Sequence, residues 1–340
     1  MNIPSAIEKV VARRDLESGE MEAVMRSIMQ GEATPAQIAG LLVALRMKGE
    51  SVDEIAASAR VMRDFATRVV IDHPHMVDIV GTGGDGSHTF NISTTAAFVI
   101  AAAGAKVAKH HNRSVSSRSG SADVLELAGV TTGLAPDQVA RCINEIGVGF
   151  MFAPVHHGAM RHAVVPRREL GIRTLFNLLG PLTNPASVVN QLIGVYAREW
   201  VAPIARVAQK LGGAHVFVVH SEDGLDEISL SAPTFVAELR NGAITEYRIA
   251  PEQFGLSRAE RAAITVSGPA QSLKLMHAAL DNRPGAPLDI VLLNAGAALC
   301  AAGIAQDLPD GIEKARAAVA SGAARAKLEQ LIRLSRELAA

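Results

Sequence analysis

A glycine-rich run at residues 81–86, Gly-Thr-Gly-Gly-Asp-Gly, is the first sign of chemistry in this 340-residue chain. It follows a short apolar stretch that predicts a strand over 76–80. Glycines allow positive φ and bring backbone N–H groups close to an anion. The hydroxyl-rich residues 91–95 follow at the start of a predicted helix, whose first N–H groups also attract anions. Together they predict a phosphate site, although a plain turn and a helix cap would use the same residue types.

The same letters satisfy the G-x-G-x-x-G pattern of dinucleotide-binding folds, but two features count against that interpretation. The third glycine of the pattern should open a helix, and here residues 87–94 intervene. The second strand should be followed by an acid for the ribose hydroxyls, and here it ends in Lys109, His110 and His111. A dinucleotide-dependent oxidoreductase is therefore disfavoured.

A second segment, residues 109–121, is rich in cationic and hydroxyl side chains, and we call it the basic loop. It lies between a predicted strand at 105–108 and a predicted helix at 123–128. The loop contains no acid, and Asp123 is the nearest one, so we expect its cations to be poorly paired. A solvated basic loop is the plain alternative. Beside the glycine run, the loop predicts a site for phosphate or pyrophosphate, because loops often carry function.

Four carboxylates, Glu222, Asp223, Asp226 and Glu227, follow a predicted strand at 215–220. Acids this close repel one another unless a cation is near, and Mg²⁺ binds carboxylate and phosphate oxygens together. The Asp-Gly pair at 223–224 also suits an ordinary turn. The metal interpretation gains weight only because a polyphosphate bound elsewhere in the site would need a cation.

Other candidate groups carry less information. The histidines at 156, 157 and 162 lack the spacing of a zinc site. Arg167 and Arg168 suit a surface, or either could hold a carboxylate through two hydrogen bonds. The chain has no G-x-S-x-G motif and no cysteine with a placed histidine, so acyl transfer has little support. Cys142 and Cys300 are expected to be buried thiols in a reducing compartment.

The elements around these groups predict two parts. Residues 1–70 show helical periodicity, with capping residues at Thr34 and Ser51 and a stop at Gly49. Beyond them, strand-like stretches at 76–80, 105–108, 215–220 and 289–293 alternate with helical runs at 95–103, 123–128 and 314–338. We expect a helical domain over 1–70 and an α/β domain over 71–340 with a mostly parallel sheet flanked by helices. A crossover segment near 171–190, rich in Gly, Pro and Asn, is expected to join them.

Composition excludes several classes of protein. Apolar residues make up 49% and charged residues 20%, which is typical of a globular chain and not of a disordered one. The formal charge is −1 and aromatic residues are only 4%, so neither nucleic acid nor an anionic membrane is an expected partner. The apolar stretch at 290–305 is short for a membrane span and contains Asn294, and residues 1–14 lack a signal sequence. We expect a cytoplasmic protein.

The motifs, in their order and spacing, resemble the anthranilate phosphoribosyltransferase family over nearly the whole chain. Each motif is weak alone, whereas the series is specific. They lie at 81–85, 89–94, 109–117, 119–123, 152–154, 173–177, 179–185 and 226–227. Two positions depart from the family pattern: His111 stands where glycine is common, and Gly158 where proline is frequent.

The resemblance implies a helical domain through which two copies form a homodimer, and an α/β domain that carries the reaction. That reaction moves phosphoribosyl from 5-phosphoribosyl 1-diphosphate (PRPP) to the amine of anthranilate, with Mg²⁺, in tryptophan biosynthesis. By resemblance, Ser93, Asp226 and Glu227 serve the metal, and Gly81, Asn112 and Arg167 hold anthranilate. The residues that would hold PRPP are Gly81, Gly84, Asp85, Thr89, Asn91, Ile92, Ser93, Thr94, Lys109, His110, His111, Asn112, Arg113, Ser114, Val115, Ser116, Ser117 and Ser121.

Two other functions suit the same scaffold. A pyrimidine-nucleoside phosphorylase would use inorganic phosphate and would not need the acid pair for Mg²⁺. A non-catalytic nucleic-acid-binding paralogue would show a basic surface and would lose Asp226 and Glu227. The main interpretation assigns no acid or base catalyst, and it requires that the glycine run, the basic loop and the acid pair meet around one diphosphorylated sugar.

Overall fold

The computed structural model describes residues 1–113 and 118–340, and these form fifteen α-helices and seven strands. The helices are α1 (Ile3–Val11), α2 (Ser18–Gln30), α3 (Pro35–Lys48), α4 (Val52–Asp64), α5 (Ile92–Ala102), α6 (Ser121–Ala128), α7 (Pro136–Ile146), α8 (Ala153–His156), α9 (Arg161–Leu170), α10 (Leu175–Leu179), α11 (Val201–Lys210), α12 (Pro269–Leu280), α13 (Ala286–Ala301), α14 (Leu308–Ala320) and α15 (Ala323–Ala339). The strands are β1 (Met76–Gly81), β2 (Lys106–His111), β3 (Val148–Phe152), β4 (Asn190–Gly194), β5 (His215–Ser221), β6 (Thr234–Arg240) and β7 (Ala243–Ile249).

The seven strands form one sheet in the order β3-β2-β1-β4-β5-β6-β7. The five strands from β3 to β5 are parallel, and β6 and β7 extend the sheet as an antiparallel hairpin. This confirms the predicted mostly parallel sheet flanked by helices, while the hairpin was not predicted. Parallel strands end at the same edge of a sheet, so the segments that follow β1, β2 and β5 leave from that edge. These segments carry the glycine run, the basic loop and the four carboxylates of residues 222–227, which we call the acid cluster. Strand β2 runs three residues further than predicted, so residues 109–111 of the basic loop lie within the strand.

The N-terminal helices begin where their capping residues predict. The Thr34 hydroxyl accepts the Gln37 N–H at 3.2 Å, and the Gln37 side chain accepts the Thr34 N–H at 3.0 Å. Ser51 and Glu54 form the same reciprocal pair. On α3 the predicted apolar stripe of Ile38, Leu41, Leu42 and Leu45 is buried. The capping residues and the apolar stripe therefore explain both the start of these helices and the face that they bury.

Residues 161–182 pack with the N-terminal helices although they are far away in sequence. Helix α3 contacts α9, and α4 contacts α10. One apolar core contains Leu41 and Ile55 from the N-terminal helices together with Ala163 and Phe176. The helical layer of the molecule is thus made from two separate stretches of the chain.

The predicted strand at 289–293 is wrong, because these residues lie inside α13. A short apolar run has no periodicity that separates a buried strand from a buried helix. The length of the apolar stretch and Pro287 in the first helical turn favour a helix, and α13 is buried along most of its length. Among residues 1–113 and 118–340, no helix combines the length and the apolar character needed to cross a membrane.

Candidate active site

The glycine run turns sharply at the end of β1 and is held there by its neighbours. Gly83 and Gly84 have φ of 65° and 75°, a conformation that residues with side chains rarely adopt. The Thr82 N–H donates to the Gly194 carbonyl at 2.9 Å, which ties the run to the end of β4. The Arg173 guanidinium donates to the Gly84 carbonyl and lies 4.5 Å above the centre of the Tyr196 ring. The run is therefore fixed from both the sheet and the helical layer.

The acid pair lies directly against this run. The Gly83 N–H donates to Asp226 Oδ2 at 2.8 Å, although the two residues are 143 positions apart. Asp226 fits there because Gly81 and Gly194 have no side chains. A Cβ on Gly81 would overlap the Asp226 carboxylate, and a Cβ on Gly194 would overlap the Asp226 carbonyl. The predicted meeting of the glycine run and the acid pair is confirmed.

The acid pair, Asp226 and Glu227, lies in surroundings that disfavour its negative charge. Both carboxylates are half-buried, and removal of water raises the pKa of Asp226 well above its usual value, helped by the negative charges of Asp85 and Glu227. Desolvation also raises the pKa of Glu227 to about 7, while Lys109 and a hydrogen bond from Ser93 oppose the rise. Carboxyl groups of this kind ionise fully when a cation binds beside them.

Lys109 supplies the one buried ammonium that the described residues place near these acids. It lies on β2, is 2% exposed, and donates to the Ile79 carbonyl and to Ser93 Oγ, the latter at 3.2 Å. Burial lowers the pKa of Lys109, and the charges of Asp78, Glu227 and Asp226 oppose that shift. The basic loop thus begins with a cation that faces the acid pair, as the site hypothesis requires.

Two residues outside the predicted site, Asp78 and Asn184, support the basic loop. Buried Asp78, in the middle of β1, accepts the Asn184 side-chain amide at 2.7 Å and the His110 N–H at 3.3 Å. Asn184 also donates to the Ala108 carbonyl at 2.9 Å. Desolvation raises the pKa of Asp78 to about 6, and Lys109 opposes that rise. A carboxylate within an apolar strand was the signal that could have revealed this network.

The hydroxyl segment after the glycine run joins the N-termini of α5 and α6. Asn91 Oδ1 accepts the hydroxyls of Ser119 and Ser272 at 2.8 and 2.7 Å. Thr94 Oγ1 donates to Ser121 Oγ at 2.8 Å. Ile92 is the first residue of α5, and its side chain is buried. Two helix N-termini, each a site that favours anions, are therefore held beside one another.

The two histidines of the basic loop are neutral and buried. His111 closes β2, and its ring lies 5.6 Å from the Phe150 ring and 5.5 Å from the Phe152 ring. It is not among the described residues with positive φ, so histidine fits where the family commonly has glycine. Burial lowers the pKa of His110 to about 3 and that of His111 well below its usual value.

The expectation that the loop cations are poorly paired is wrong for Arg113. Its guanidinium pairs with Asp123 at 3.0 Å and with Glu126 at 2.7 Å, since both acids are on the first turns of α6 that follow. The Asn112 carbonyl accepts the Ala122 N–H at 3.4 Å. Of the other predicted ligands, Ser114, Val115, Ser116 and Ser117 lie outside the described residues.

The remaining predicted ligands flank the glycine run. Asp85 Oδ1 accepts the Ser87 N–H at 3.0 Å, and Asp85 Oδ2 lies 3.5 Å from the Asp226 N–H. Thr89 forms a single antiparallel bridge with Thr265. These contacts place Asp85 beside the acid pair and attach the segment after it to the α/β part.

Arg167, on α9, is half-buried and stacks on an aromatic ring. Its guanidinium carbon lies 5.0 Å from the centre of the Phe176 ring, and burial lowers the pKa of Arg167. In the described ranges it forms no ion pair with an acid, so its five donors are available to an anionic ligand. Nearby Gly158 leaves open space, because a Cβ there would meet no atom within 4 Å.

The acid pair suits Mg²⁺ in its chemistry. Carboxylates of Asp226 and Glu227 and the hydroxyl of Ser93 are hard oxygen donors, which magnesium prefers. No group of three or more His, Cys, Asp or Glu side chains within 1–113 and 118–340 could hold a metal ion alone. Magnesium usually keeps waters and substrate phosphates as ligands, so a pair of acids is sufficient for it.

Two known domain families match the chain, one over the α/β part and one over the N-terminal helices. Residues 73–325 match the family described as "Glycosyl transferase family, a/b domain". Residues 4–66 match the one described as "Glycosyl transferase family, helical bundle domain". The first match contains the glycine run, the basic loop and the acid pair.

Full-length relatives narrow the family further. The chain is 60% identical over 340 residues, 100% of both chains, to the anthranilate phosphoribosyltransferase of Methylococcus capsulatus. The Thermus thermophilus enzyme of that name superposes with a TM-score of 0.92 at 45% identity, over 97% of this chain and 99% of the other. The Saccharomyces cerevisiae enzyme, in complex with PRPP and Mg, gives 0.89 at 28% identity over 98% of each chain. From its motifs, its fold and these relatives, the chain belongs to the anthranilate phosphoribosyltransferase family.

Proposed function

We propose that the chain transfers the phosphoribosyl group of PRPP to the amine of anthranilate. The products are N-(5-phosphoribosyl)anthranilate and pyrophosphate, and the reaction is a step of L-tryptophan biosynthesis. The observation that carries the proposal is the meeting of three distant segments: Gly83 donates to Asp226, and Lys109 contacts Ser93 and faces the acid pair. The yeast relative bound to PRPP and Mg has the same fold, which supports the choice of substrate and metal.

The proposed PRPP site extends along one edge of the sheet. Backbone N–H groups of the glycine run and of the first turn of α5 would hold the diphosphate, since both concentrate unpaired donors. Asn91, Thr94 and Ser121 would fix the two helix N-termini around the phosphoribosyl group. The other residues assigned by resemblance, from Asp85 to Ser117, stay predictions for this site.

The proposed catalysis is positioning and electrostatic stabilisation. Cleavage of the bond between C1 of the ribose and pyrophosphate leaves negative charge on the departing oxygen. The Lys109 ammonium and the loop N–H groups would stabilise that charge, and Mg²⁺ bound at Asp226, Glu227 and Ser93 would supply Lewis acidity. The amine of anthranilate is already a nucleophile, so the site needs no strong base and we assign none.

The nucleoside phosphorylase alternative has no supporting observation. Its substrate would be inorganic phosphate, which leaves the half-buried acid pair without a role. A nucleic-acid-binding paralogue is likewise disfavoured, because the acid pair is present and the chain has a formal charge of −1. Both alternatives also lack a relative of that name among those described above.

A fluorescence assay tests the proposed function directly. Loss of anthranilate fluorescence should require the chain, PRPP and Mg²⁺ together, and should cease when EDTA removes the metal. Phosphorolysis of thymidine, followed in parallel, should not be detectable. Turnover of thymidine without turnover of anthranilate would overturn the assignment in favour of the phosphorylase.

We expect Arg167→Ala to impair the use of anthranilate selectively. The stacked guanidinium is well placed to bind a carboxylate through two hydrogen bonds, which are worth about 1.5–3 kcal/mol. The Michaelis constant for anthranilate should rise about 10-fold or more, whereas that for PRPP should change little. Steady-state kinetics with each substrate varied in turn measures both, and exposed Arg168→Ala is the control. Equal effects on the two constants would contradict the assignment.

We also propose a homodimer formed through the helical layer. Large apolar side chains are exposed on it: Val11 and Met47 are 66% and 67% exposed, and Val164 and Val165 on α9 are also exposed. Contiguous apolar surface on a folded protein commonly marks an interface. Sedimentation equilibrium should give twice the chain mass, and a monomer that persists at all concentrations would exclude this part of the proposal.

We further propose a boundary between the two domains and a cytoplasmic location for the chain. We place the boundary near residue 70, between α4, which ends at Asp64, and β1, which begins at Met76. Cys142 and Cys300 are both free and buried, which supports a cytoplasmic location. Limited proteolysis tests the boundary, and fractionation of the source cells tests the location.

A further inference from the structure

The segment that carries the acid pair has no place in the sheet. Residues 226–229 follow β5 without forming a strand, so their backbone groups lack the partners that a sheet would supply. The carboxylates of Asp226 and Glu227 are adjacent in sequence, and Asp85 Oδ2 lies 3.5 Å from the Asp226 N–H, so three like charges share this region and repel one another. A segment of this kind needs an external anchor to keep two acids in one arrangement.

Asn294 is placed to be that anchor. It lies in the middle of α13 and is fully buried, with 0% of its surface exposed. Asn294 Oδ1 accepts the Ile228 N–H at 3.0 Å, and Asn294 Nδ2 donates to the Ile228 carbonyl at 2.9 Å. Asn294 Nδ2 also donates to the Ile290 carbonyl at 2.9 Å, so both amide hydrogens are used.

Ile228 is the residue directly after Glu227, and across the described ranges Asn294 is the partner of both its backbone groups. Asp226, the residue before Glu227, packs against Gly81 and Gly194 so closely that a Cβ on either glycine would overlap it. The acid pair is thus flanked in sequence by two fixed points, the glycine contacts of Asp226 and the Asn294 hydrogen bonds of Ile228. The side chain of Asn294 is costly to bury among apolar neighbours, and its three hydrogen bonds offset that cost.

We propose that Asn294 is a positioning residue for the metal site, which fixes the main chain after Glu227 so that both carboxylates face the ion and the diphosphate. This inference rests on the proposed function, because it assumes that the acid pair holds the metal. Asn294 does not touch the substrate in this role. It acts through Ile228, in the way that residues behind a metal ligand set the ligand's orientation.

Asn294→Ala tests the proposal by metal affinity. With PRPP present, the dissociation constant for Mn²⁺, measured from the free-ion signal in electron paramagnetic resonance, should rise about 10-fold or more. The Mg²⁺ concentration for half-maximal activity should rise in parallel. The control is Leu299→Ala, which removes a fully buried side chain about 1.4 turns along the same helix and should leave both values within about twofold.

An unchanged Mn²⁺ constant in Asn294→Ala, or an equal rise in Leu299→Ala, would overturn the positioning role. If Asn294→Ala does not fold, Asn294→Asp keeps the volume and the acceptor but loses the donor to Ile228, and it should shift both values in the same direction. Failure of the wild-type chain to consume anthranilate would instead count against the proposed function. An active wild-type chain with an unaffected metal constant in the variants would leave that function standing and remove only this inference.

Discussion

Replacement of Lys109 by methionine should damage both the fold and the reaction more than any other single change in the site. The methionine would leave Asp78 and Glu227 without their nearest cation in a low-dielectric environment. Loss of one partner from a buried charge pair costs about 3–5 kcal/mol, and Lys109 is only 2% exposed. Loss of a charge that stabilises the leaving group should lower kcat by about 100- to 1,000-fold. Urea denaturation and the anthranilate assay measure the two effects.

The stability loss should grow with pH. Asp78 has a folded pKa of about 6, above its usual value of 3.8, so its contribution is full below 3.8 and is lost as the pH rises through 6. Without Lys109 that folded pKa is higher still, and the difference between variant and wild type should be larger at about pH 8 than at about pH 5.

Two further variants test whether the effects of Lys109→Met come from the loss of its buried charge. Lys106→Met, at the start of the same strand, removes a more exposed ammonium that donates to the Asn144 carbonyl, and it should change stability by about 0.5 kcal/mol or less. Adding Glu227→Gln to Lys109→Met should restore part of the stability but none of the activity. Equal losses in Lys106→Met and Lys109→Met would show that the charge arrangement is not the cause.

Asp226→Asn should lower the activity of the chain and raise its stability. The amide cannot serve as an anionic ligand, so Mg²⁺-dependent turnover should fall about 100-fold or more. Because desolvation and two neighbouring acids raise the pKa of Asp226, its ionisation destabilises the folded state as pH rises. The asparagine variant should therefore unfold at a higher temperature than the wild type at about pH 8, with a smaller difference at about pH 4.

Asp223→Asn is the matched control in the same acid cluster. The Asp223 carboxylate accepts the Ser229 hydroxyl at 2.8 Å and does not contact the glycine run. Its replacement should leave the Mg²⁺ dependence of the reaction close to that of the wild type. Normal turnover in Asp226→Asn, or the same metal defect in both variants, would remove the metal assignment.

The layout of the site was predictable because it follows from sheet topology. Three chemistry-bearing segments each follow a predicted strand, and parallel strands end at one edge, so the segments had to lie near one another. The structure confirms this through the Gly83–Asp226 hydrogen bond and the buried Lys109. The individual ligand roles assigned by resemblance stay predictions.

What the sequence did not reveal depends on contacts between distant residues. Asp78 and Asn184 form a pair across 106 positions, so the carboxylate within an apolar strand indicates that a partner exists but not which residue it is. The ion pairs of Arg113 appear only once α6 starts directly after the basic loop and turns Asp123 and Glu126 toward it. Helix α13 was mistaken in part for a strand, because apolar residues on all its faces remove the periodicity that identifies a helix.

The absence of side chains at Gly81 and Gly194 has a consequence for which substitutions the chain can accept. The carboxylate of Asp226 occupies the space beside Gly81, and its carbonyl occupies the space beside Gly194. Even a methyl group at either glycine would overlap Asp226, so the main chain there would have to shift. The placement of a charged ligand thus depends on two residues that carry no functional group of their own.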